Sequence, residues 1–279
     1  MAISLLSASQ IDFADFLDTF NAAYQDYYVP LQMELEPMRQ LIHRDAVDME
    51  ASRVALGDGE PVGVGMLAVR DDAGWIGGLG IVPSHRGQGI GRQITVSLLD
   101  AARERGVRRV QLEVIDKNTT ARNLYESLGF QETRRLFLLE RSPNAGVTNP
   151  EPSIAVEKVH PSRLLRHYDA FHSVPNPWQR RSETLHVLQD HMDGWCATRG
   201  DETLAYAVGW ALPDVIRFMD CAMQSAAAMS SLLHHIHSEA PQATASIYNV
   251  GEDDPVLEVL RAAGYHDTGM QYEMQLVLR

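Results

Sequence analysis

Cysteine is scarce: Cys196 and Cys221 are the two in 279 residues. That excludes a disulfide framework, and no Cys/His cluster has the spacing of a metal finger, so no metal is expected. A reducing, cytoplasmic setting is the expectation. No apolar run approaches the ~18 residues that cross a membrane as a helix. The opening MAISLLSASQIDFADF lacks the basic region of a signal peptide and meets acid by Asp12. Basic side chains are also in deficit, 24 against 37 acidic, for a net charge of −13 at pH 7. That sign disfavours duplex nucleic acid and anionic membrane surfaces as partners. What is present is 45% hydrophobic side chains, ample for buried cores, in a length that suggests about two domains.

Residues 142–152, SPNAGVTNPEP, hold three prolines, one glycine and two asparagines. Proline lacks the N–H and restricts its predecessor, so neither helix nor ladder continues there. The stretch is read as a linker between domains at 1–141 and 153–279. Before it, apolar periodicity predicts strands at 3–6, 53–56, 62–69, 75–82 and 110–115, and one holding residues 136–139. Helices are predicted at 12–24, 37–44, up to Arg105, and 119–128. Asp58-Gly59 marks a hairpin, residues 71–74 a further turn, and Gly106 a helix end. After the linker the same order recurs. Strands are predicted at 154–159, 196–199, 204–210, 215–221, 243–248 and 270–278, with helices at 162–171, 182–192, 225–238 and 254–263. The plan is α/β, built twice, with the second copy much diverged.

The informative stretch is Leu79–Arg92, LGIVPSHRGQGIGR. Gly87, Gly89 and Gly91 alternate after a strand and before an amphipathic helix. Such a loop can turn several N–H groups into one concavity, and the helix start adds positive charge. The natural guest is a phosphate or pyrophosphate. The spacing fits neither GxGxxG nor the P-loop, since Arg92-Gln93 stands where Lys-Ser/Thr would. Downstream, Asn118, Ala121, Leu124, Tyr125, Gly129 and Phe130 read NxxAxxLYxxxGF.

Together these motifs resemble the GCN5-related N-acetyltransferase superfamily, over about residues 1–141 and most sharply from Trp75 to Phe130. The resemblance implies two tandem domains of that kind, each a mixed, mostly antiparallel sheet with flanking helices and a splayed parallel strand pair. It also implies acetyl-coenzyme A as co-substrate. Backbone groups of Leu79, Gly80 and Ile81 are then expected to bond the pantetheine arm and the acyl carbonyl. Arg86, Gly87, Gln88, Gly89, Ile90, Gly91 and Arg92 would hold the pyrophosphate, and Asn118 would touch the coenzyme or cap its helix. Tyr125 stands at the family position of the group that protonates the leaving thiolate; a phenol is a competent donor at neutral pH. Packing beside Leu124 and Leu128 is its plainer role. Glu113 occupies a strand position from which some relatives draw the general base, with Asp48 and Glu50 as alternatives. Tyr24, Tyr27 and Tyr28, followed by Pro30, form either an acceptor wall or simple packing.

The second half lacks the glycine loop, having only Ala222-Met223-Gln224. Counting back from Gly264, Leu260 stands where Tyr125 would. A structural or acceptor-forming role is expected for it. The histidines at 186, 191, 234, 235 and 237 are read as solvated faces or interdomain contacts. Met219, Met223 and Met229 are read as core filling. Transfer of an acetyl or short acyl group to a small-molecule or peptide primary amine is the expected activity, in a monomer or homodimer. A non-catalytic acyl-coenzyme A sensor or scaffold is the alternative.

Overall fold

Asp58 and Gly59 take positive φ, 51° and 97°, as a two-residue hairpin turn requires. They close β2 (Arg53–Gly57) onto β3 (Glu60–Arg70), with β1 (Ile3–Ser7) antiparallel on the far side of β2. Asp71 turns the chain again at φ 49° into β4 (Ala73–Ile81). The expected four-residue turn is shorter, since Ala73 and Gly74 already pair with Arg70 and Val69. In this computed structural model residues 2–28, 31–146 and 150–278 are described; Pro30 and residues 147–149 of the expected linker lie outside them.

Between β1 and β2 run α1 (Phe13–Ala23) and α2 (Leu35–Arg44). Asp12 starts α1 by accepting the Ala14 N–H at 2.8 Å, one of the donors a helix start leaves over. Its face of Phe16, Leu17, Phe20 and Ala23 is buried, and α1 packs on β3 and β4. On the opposite side α3 (Ile90–Glu104) sets Ile90, Ile94, Leu98 and Ala102 into a core with Leu67, Ile76 and Leu112. Gly106, at φ 74°, ends α3 as a left-handed cap. β5 (Arg109–Ile115) follows, parallel to β4, and then α4 (Thr119–Ser127).

The chain divides into two compact units, residues 1–133 with 272–279, and residues 134–271. In the first, the strand order is β1-β2-β3-β4-β5, and beside β5 comes the end of the chain's last strand, β12 (His266–Val277). Tyr272, Met274, Leu276 and Leu278 complete the first core. β6 (Gln131–Arg141) passes into the second unit and lies antiparallel to β11 (Thr244–Gly251), with Leu139 opposite Ile247.

The second unit repeats the plan. β7 (Ala155–Val159) is followed by α5 (Ser162–Leu165), α6 (Tyr168–Phe171) and α7 (Ser182–Leu188). One helix was expected over 162–171; it breaks at Arg166-His167, where His167 leaves helical geometry at φ −102°, ψ 4°. β8 (Asp193–Arg199), β9 (Glu202–Ala211) and β10 (Val215–Met223) form the meander, and α8 (Ala226–Glu239) leads to β11 and α9 (Val256–Ala262). Sheet order is the first half of β12, then β6-β11-β10-β9-β8-β7. α8 and α9 bury Met229, Leu232, Leu233, Ile236, Leu257 and Leu260 on one face. His237 is buried there, not solvated: its Nε2 meets the Tyr265 hydroxyl at 3.2 Å, and burial with the nearby Arg141 charge pushes its pKa down to about 3.

Candidate active site

The parallel pairing of β4 with β5 runs from Ala73 opposite Arg109 to Ile76 opposite Leu112. Gly77 is then an extra residue in β4, because the β3 register steps from Leu67 opposite Ile76 to Met66 opposite Gly78. Such a bulge bends the strand and interrupts its ladder. Residues 78–81 of β4 diverge from β5, and a backbone edge opens between them. Val82 donates to the Val62 carbonyl at 3.0 Å, so by alternation Gly80 also faces β3, while Leu79 and Ile81 face the opening. Gly80, expected among the edge donors, therefore belongs to the ladder. A Cβ there would stand 2.7 Å from the Ala23 Cβ, so its service is to let α1 approach.

Past the edge the chain is exposed from Arg86 to Gly89. Gly87 and Gly89 sit at φ 76° and 78°, and Gly89 is the N-cap of α3. A Cβ at either would meet no heavy atom within 4 Å, so dihedral geometry, not crowding, selects glycine. The first helical bond runs from Gln93 N–H to Gly89 C=O at 3.2 Å. The N–H groups of Ile90, Gly91 and Arg92 thus lie ahead of the helical ladder, at the positive end of a fifteen-residue helix. This open cradle of donors fits a pyrophosphate. Arg92 extends to the Ser127 hydroxyl at 2.9 Å, spanning the starts of α3 and the end of α4. Arg86 differs from its expected part. Its guanidinium donates to the carbonyls of Ile81 and Ala23, both at 3.0 Å, and of Gln25 at 3.3 Å. Its side chain braces the loop against the end of α1.

Across the opening, Tyr125 of α4 is buried at 6% exposure, edge-on to Phe130 at 5.7 Å. Burial, and after it the neighbouring Tyr27, raise its pKa, so the phenol stays protonated through neutral pH. Asn118 caps α4, accepting the Ala121 N–H at 3.1 Å, and its side chain also meets the Tyr27 hydroxyl. Glu113 is the first β5 residue beyond the paired stretch. It is half-buried and takes the Trp75 indole N–H at 2.7 Å, a partner that the linear sequence, 38 residues apart, did not disclose. Asp48 is otherwise engaged: it accepts the Glu50 and Ala51 N–H groups at 2.9 Å and pairs with Arg105. Burial alone would raise its pKa, yet these bonds leave it lowered, a poor base. Glu50 is 82% exposed.

The tyrosine cluster runs outward from the same opening. Tyr24 packs on Phe20 at 4.6 Å and on Tyr27 at 5.1 Å, and Tyr27 on Tyr28 at 5.4 Å. Tyr28 is 54% exposed. The Tyr24 hydroxyl reaches the edge itself, accepting the Leu79 N–H at 3.2 Å.

The second unit keeps the frame and changes its chemistry. β10 and β11 pair in parallel from Val215 opposite Thr244 to Phe218 opposite Ile247, and Met219 is the bulge. Asp220, next after the bulge as Gly78 is in β4, is fully buried. It accepts from Arg180 at 2.8 Å and Tyr206 at 2.9 Å, and pairs with His172 at 3.2 Å. Burial would raise its pKa; the His172 and Arg180 charges hold it at about 2. The N–H groups of Gln224 and Ser225 both go to the Leu204 carbonyl, at 2.8 and 3.3 Å. Leu260 matches Tyr125 in place: each accepts N–H bonds from the residues three and five positions on.

A mixed sheet opened at one parallel pair, built twice in one chain and flanked in the first copy by a glycine-led helix, is an acetyltransferase-type α/β fold in tandem. The acetyltransferase (GNAT) family profile matches residues 13–130. An uncharacterized N-acetyltransferase, YycN of Bacillus subtilis, is 46% identical over 54 residues, 19% of this chain and 35% of that protein. A mycothiol acetyltransferase of Beutenbergia cavernae is 47% identical over 75 residues, 26% of this chain and 25% of that one. The chain thus spans about a quarter to a third of the length of these relatives. A tandem GNAT protein from the clavulanic acid biosynthesis pathway superposes with a TM-score of 0.73 at 13% identity, covering 99% of this chain and 98% of that one. Residues 13–130 thus carry the acetyltransferase (GNAT) family pattern, and the chain as a whole shares the fold of a tandem GNAT protein.

Proposed function

We propose that the chain transfers an acetyl or short acyl group from acetyl-coenzyme A to a primary amine, by direct attack in a ternary complex in the first unit. The observation that carries this reading is the convergence, at one splayed strand pair, of a donor cradle, a backbone edge that β5 leaves unpaired and a buried phenol. The coenzyme supplies a thioester, whose carbonyl is ready for attack and whose sulfur leaves as thiolate. The N–H groups from Gly87 to Arg92 would hold its pyrophosphate. The Leu79 and Ile81 backbone would bond its amide-bearing arm as one more strand, and a donor on that edge would face the oxygen on which charge develops. Tyr125 would give its proton to the leaving sulfur. Glu113, steadied by Trp75, would take the proton from the attacking ammonium.

The acceptor is a small-molecule or peptide amine; the name of the mycothiol relative supports a small molecule, and Tyr27 and Tyr28 would flank its approach. The second unit binds no coenzyme of its own and serves packing or the acceptor. The setting is cytoplasmic, with no nucleic acid or membrane as partner. Release of free thiol from acetyl-coenzyme A across a panel of amines, with a mass increase of the acceptor, tests the reading. Coenzyme binding without thiol release from any amine would leave the sensor alternative in its place.

A further inference from the structure

The backbone edge proposed to take the pantetheine arm is not bare. At Leu79 one side-chain atom meets both of its polar groups: the Tyr24 hydroxyl accepts the N–H at 3.2 Å and donates to the C=O at 3.5 Å. An amide of an incoming strand-like chain would need those same two groups. The hydroxyl has one proton and two acceptor positions, so it can serve both, but bridging two groups of one residue makes long bonds. At 3.5 Å the second is at the limit of a hydrogen bond.

The phenol is delivered there by design of the neighbouring backbone. Tyr24 is the C-cap of α1, fixed by Phe20 and Tyr27 on its two sides. Its ring lies against Gly80, where a Cβ would stand 3.2 Å from ring carbon, and its hydroxyl against Gly78, where a Cβ would stand 3.3 Å from the oxygen. α1 itself is tied to the glycine loop, through Arg86 on the Ala23 and Gln25 carbonyls.

We propose that Tyr24 is a latch on the coenzyme edge, a residue whose hydroxyl the pantetheine arm must displace from Leu79 and which thereby sets the affinity of the site for acyl-coenzyme A. This rests on the reading of that edge as the coenzyme's. The latch acts on the arm and not on the nucleotide end, because the Tyr24 hydroxyl touches β4 and none of the N–H groups from Gly87 to Arg92.

Tyr24→Phe removes the hydroxyl and keeps the ring. In the free protein, hydrogen exchange at the Leu79 amide should quicken at least severalfold in the variant, with the unfolding midpoint nearly unchanged. By calorimetric titration, coenzyme A should bind the variant about twofold to tenfold more tightly, the range of one net hydrogen bond. Adenosine 3′-phosphate 5′-diphosphate, which keeps the pyrophosphate and lacks the arm, should bind both forms equally. Gly78→Ala, whose Cβ would stand 3.3 Å from the Tyr24 oxygen and 2.8 Å from the flexible end of Met66, should quicken Leu79 exchange in the same way. Weaker or unchanged binding of coenzyme A by a folded Tyr24→Phe protein overturns the latch while leaving the coenzyme site standing. Unchanged Leu79 exchange also overturns it. Failure of the unaltered protein to bind either ligand overturns the coenzyme reading, and the latch with it.

Discussion

A side chain at position 89 would have to be carried at φ 78°, where the Cβ meets the following carbonyl at a cost of about 1–2 kcal/mol. The space around it is open, so Gly89→Glu should fold. Its carboxylate would stand in the donor cradle, and we expect calorimetric titration to show coenzyme A binding lost; unchanged affinity would remove the loop from the site. Tyr125 offers the complementary case. Its phenol is buried and its pKa raised, so it holds its proton across the working range. Tyr125→Phe should lower kcat by roughly 10–10³-fold, the scale of a lost general acid, with coenzyme affinity nearly unchanged. A kcat within twofold of the unaltered enzyme, using a donor with a poor leaving group, would show that the thiolate departs unaided. The left-handed turn at Gly89 and the place of Tyr125 on its helix were legible from residue type and spacing. Their neighbours were not. Arg86 reads as a phosphate ligand and turns out to brace α1, and Glu113 owes its orientation to Trp75, because a side chain's reach across a strand is invisible in a linear motif.

Strand β12 shows how an element can be found from its pattern while the strands it pairs with are not. Alternation marks residues 270–278 as a strand, and they are one, yet Met274, at 0% exposure, fills the core built by α3 and β5. Expectation put the first domain at 1–141; its compact unit is 1–133 with 272–279. A period-2 pattern states that a strand buries one face and says nothing of which strand it pairs with. The consequence is measurable. Deleting residues 272–279 removes Tyr272, Met274, Leu276 and Leu278 from the first core, and the shortened protein should be insoluble or bind no coenzyme, although its glycine loop is complete. Met274→Ala alone should cost about 2–5 kcal/mol by denaturant titration. A fully active, monomeric 1–142 fragment would show that the first unit needs nothing from the chain's end.

Taken whole, the molecule carries two related frames, of which one has the glycine loop and the buried phenol. In the second, the Gln224 and Ser225 N–H groups ahead of α8 are bonded to the Leu204 carbonyl, and Ser225 caps α8 through the Ala228 N–H. Equilibrium dialysis should therefore give one coenzyme equivalent per chain; two would refute the single site. The second unit's histidines predict a pH response of opposite signs. His172 has its pKa raised: burial opposes the charge, but Asp220 more than offsets this. Its contribution is full below ~6.5, the ordinary histidine value, and fades as pH rises through the raised pKa. His237, pushed down to about 3, stabilises above ~6.5 and loses that contribution as pH falls and the unfolded chain takes the proton. The unfolding midpoint of the second unit should peak near neutral pH and fall on both sides. A midpoint still rising between pH 6.5 and 5 would contradict the buried neutral His237.

Sequence alone determined the element order, the doubling of the plan, the glycine cradle from Gly87 to Gly91, the place of Tyr125 and its replacement by Leu260. These are local matters: periodicity, left-handed turns and the spacing of residues on one helix are written within a dozen positions. Tertiary structure decided the rest. It set Asp220 at the centre of a charge network drawn from Arg180, Tyr206 and His172, turned Gly80 into the ladder and Leu79 out of it, and laid the Tyr24 hydroxyl on Leu79, 55 residues away. Hydrogen bonds and burial depend on which surfaces meet in space, and that choice is made by the packing of whole elements, not by any one of them.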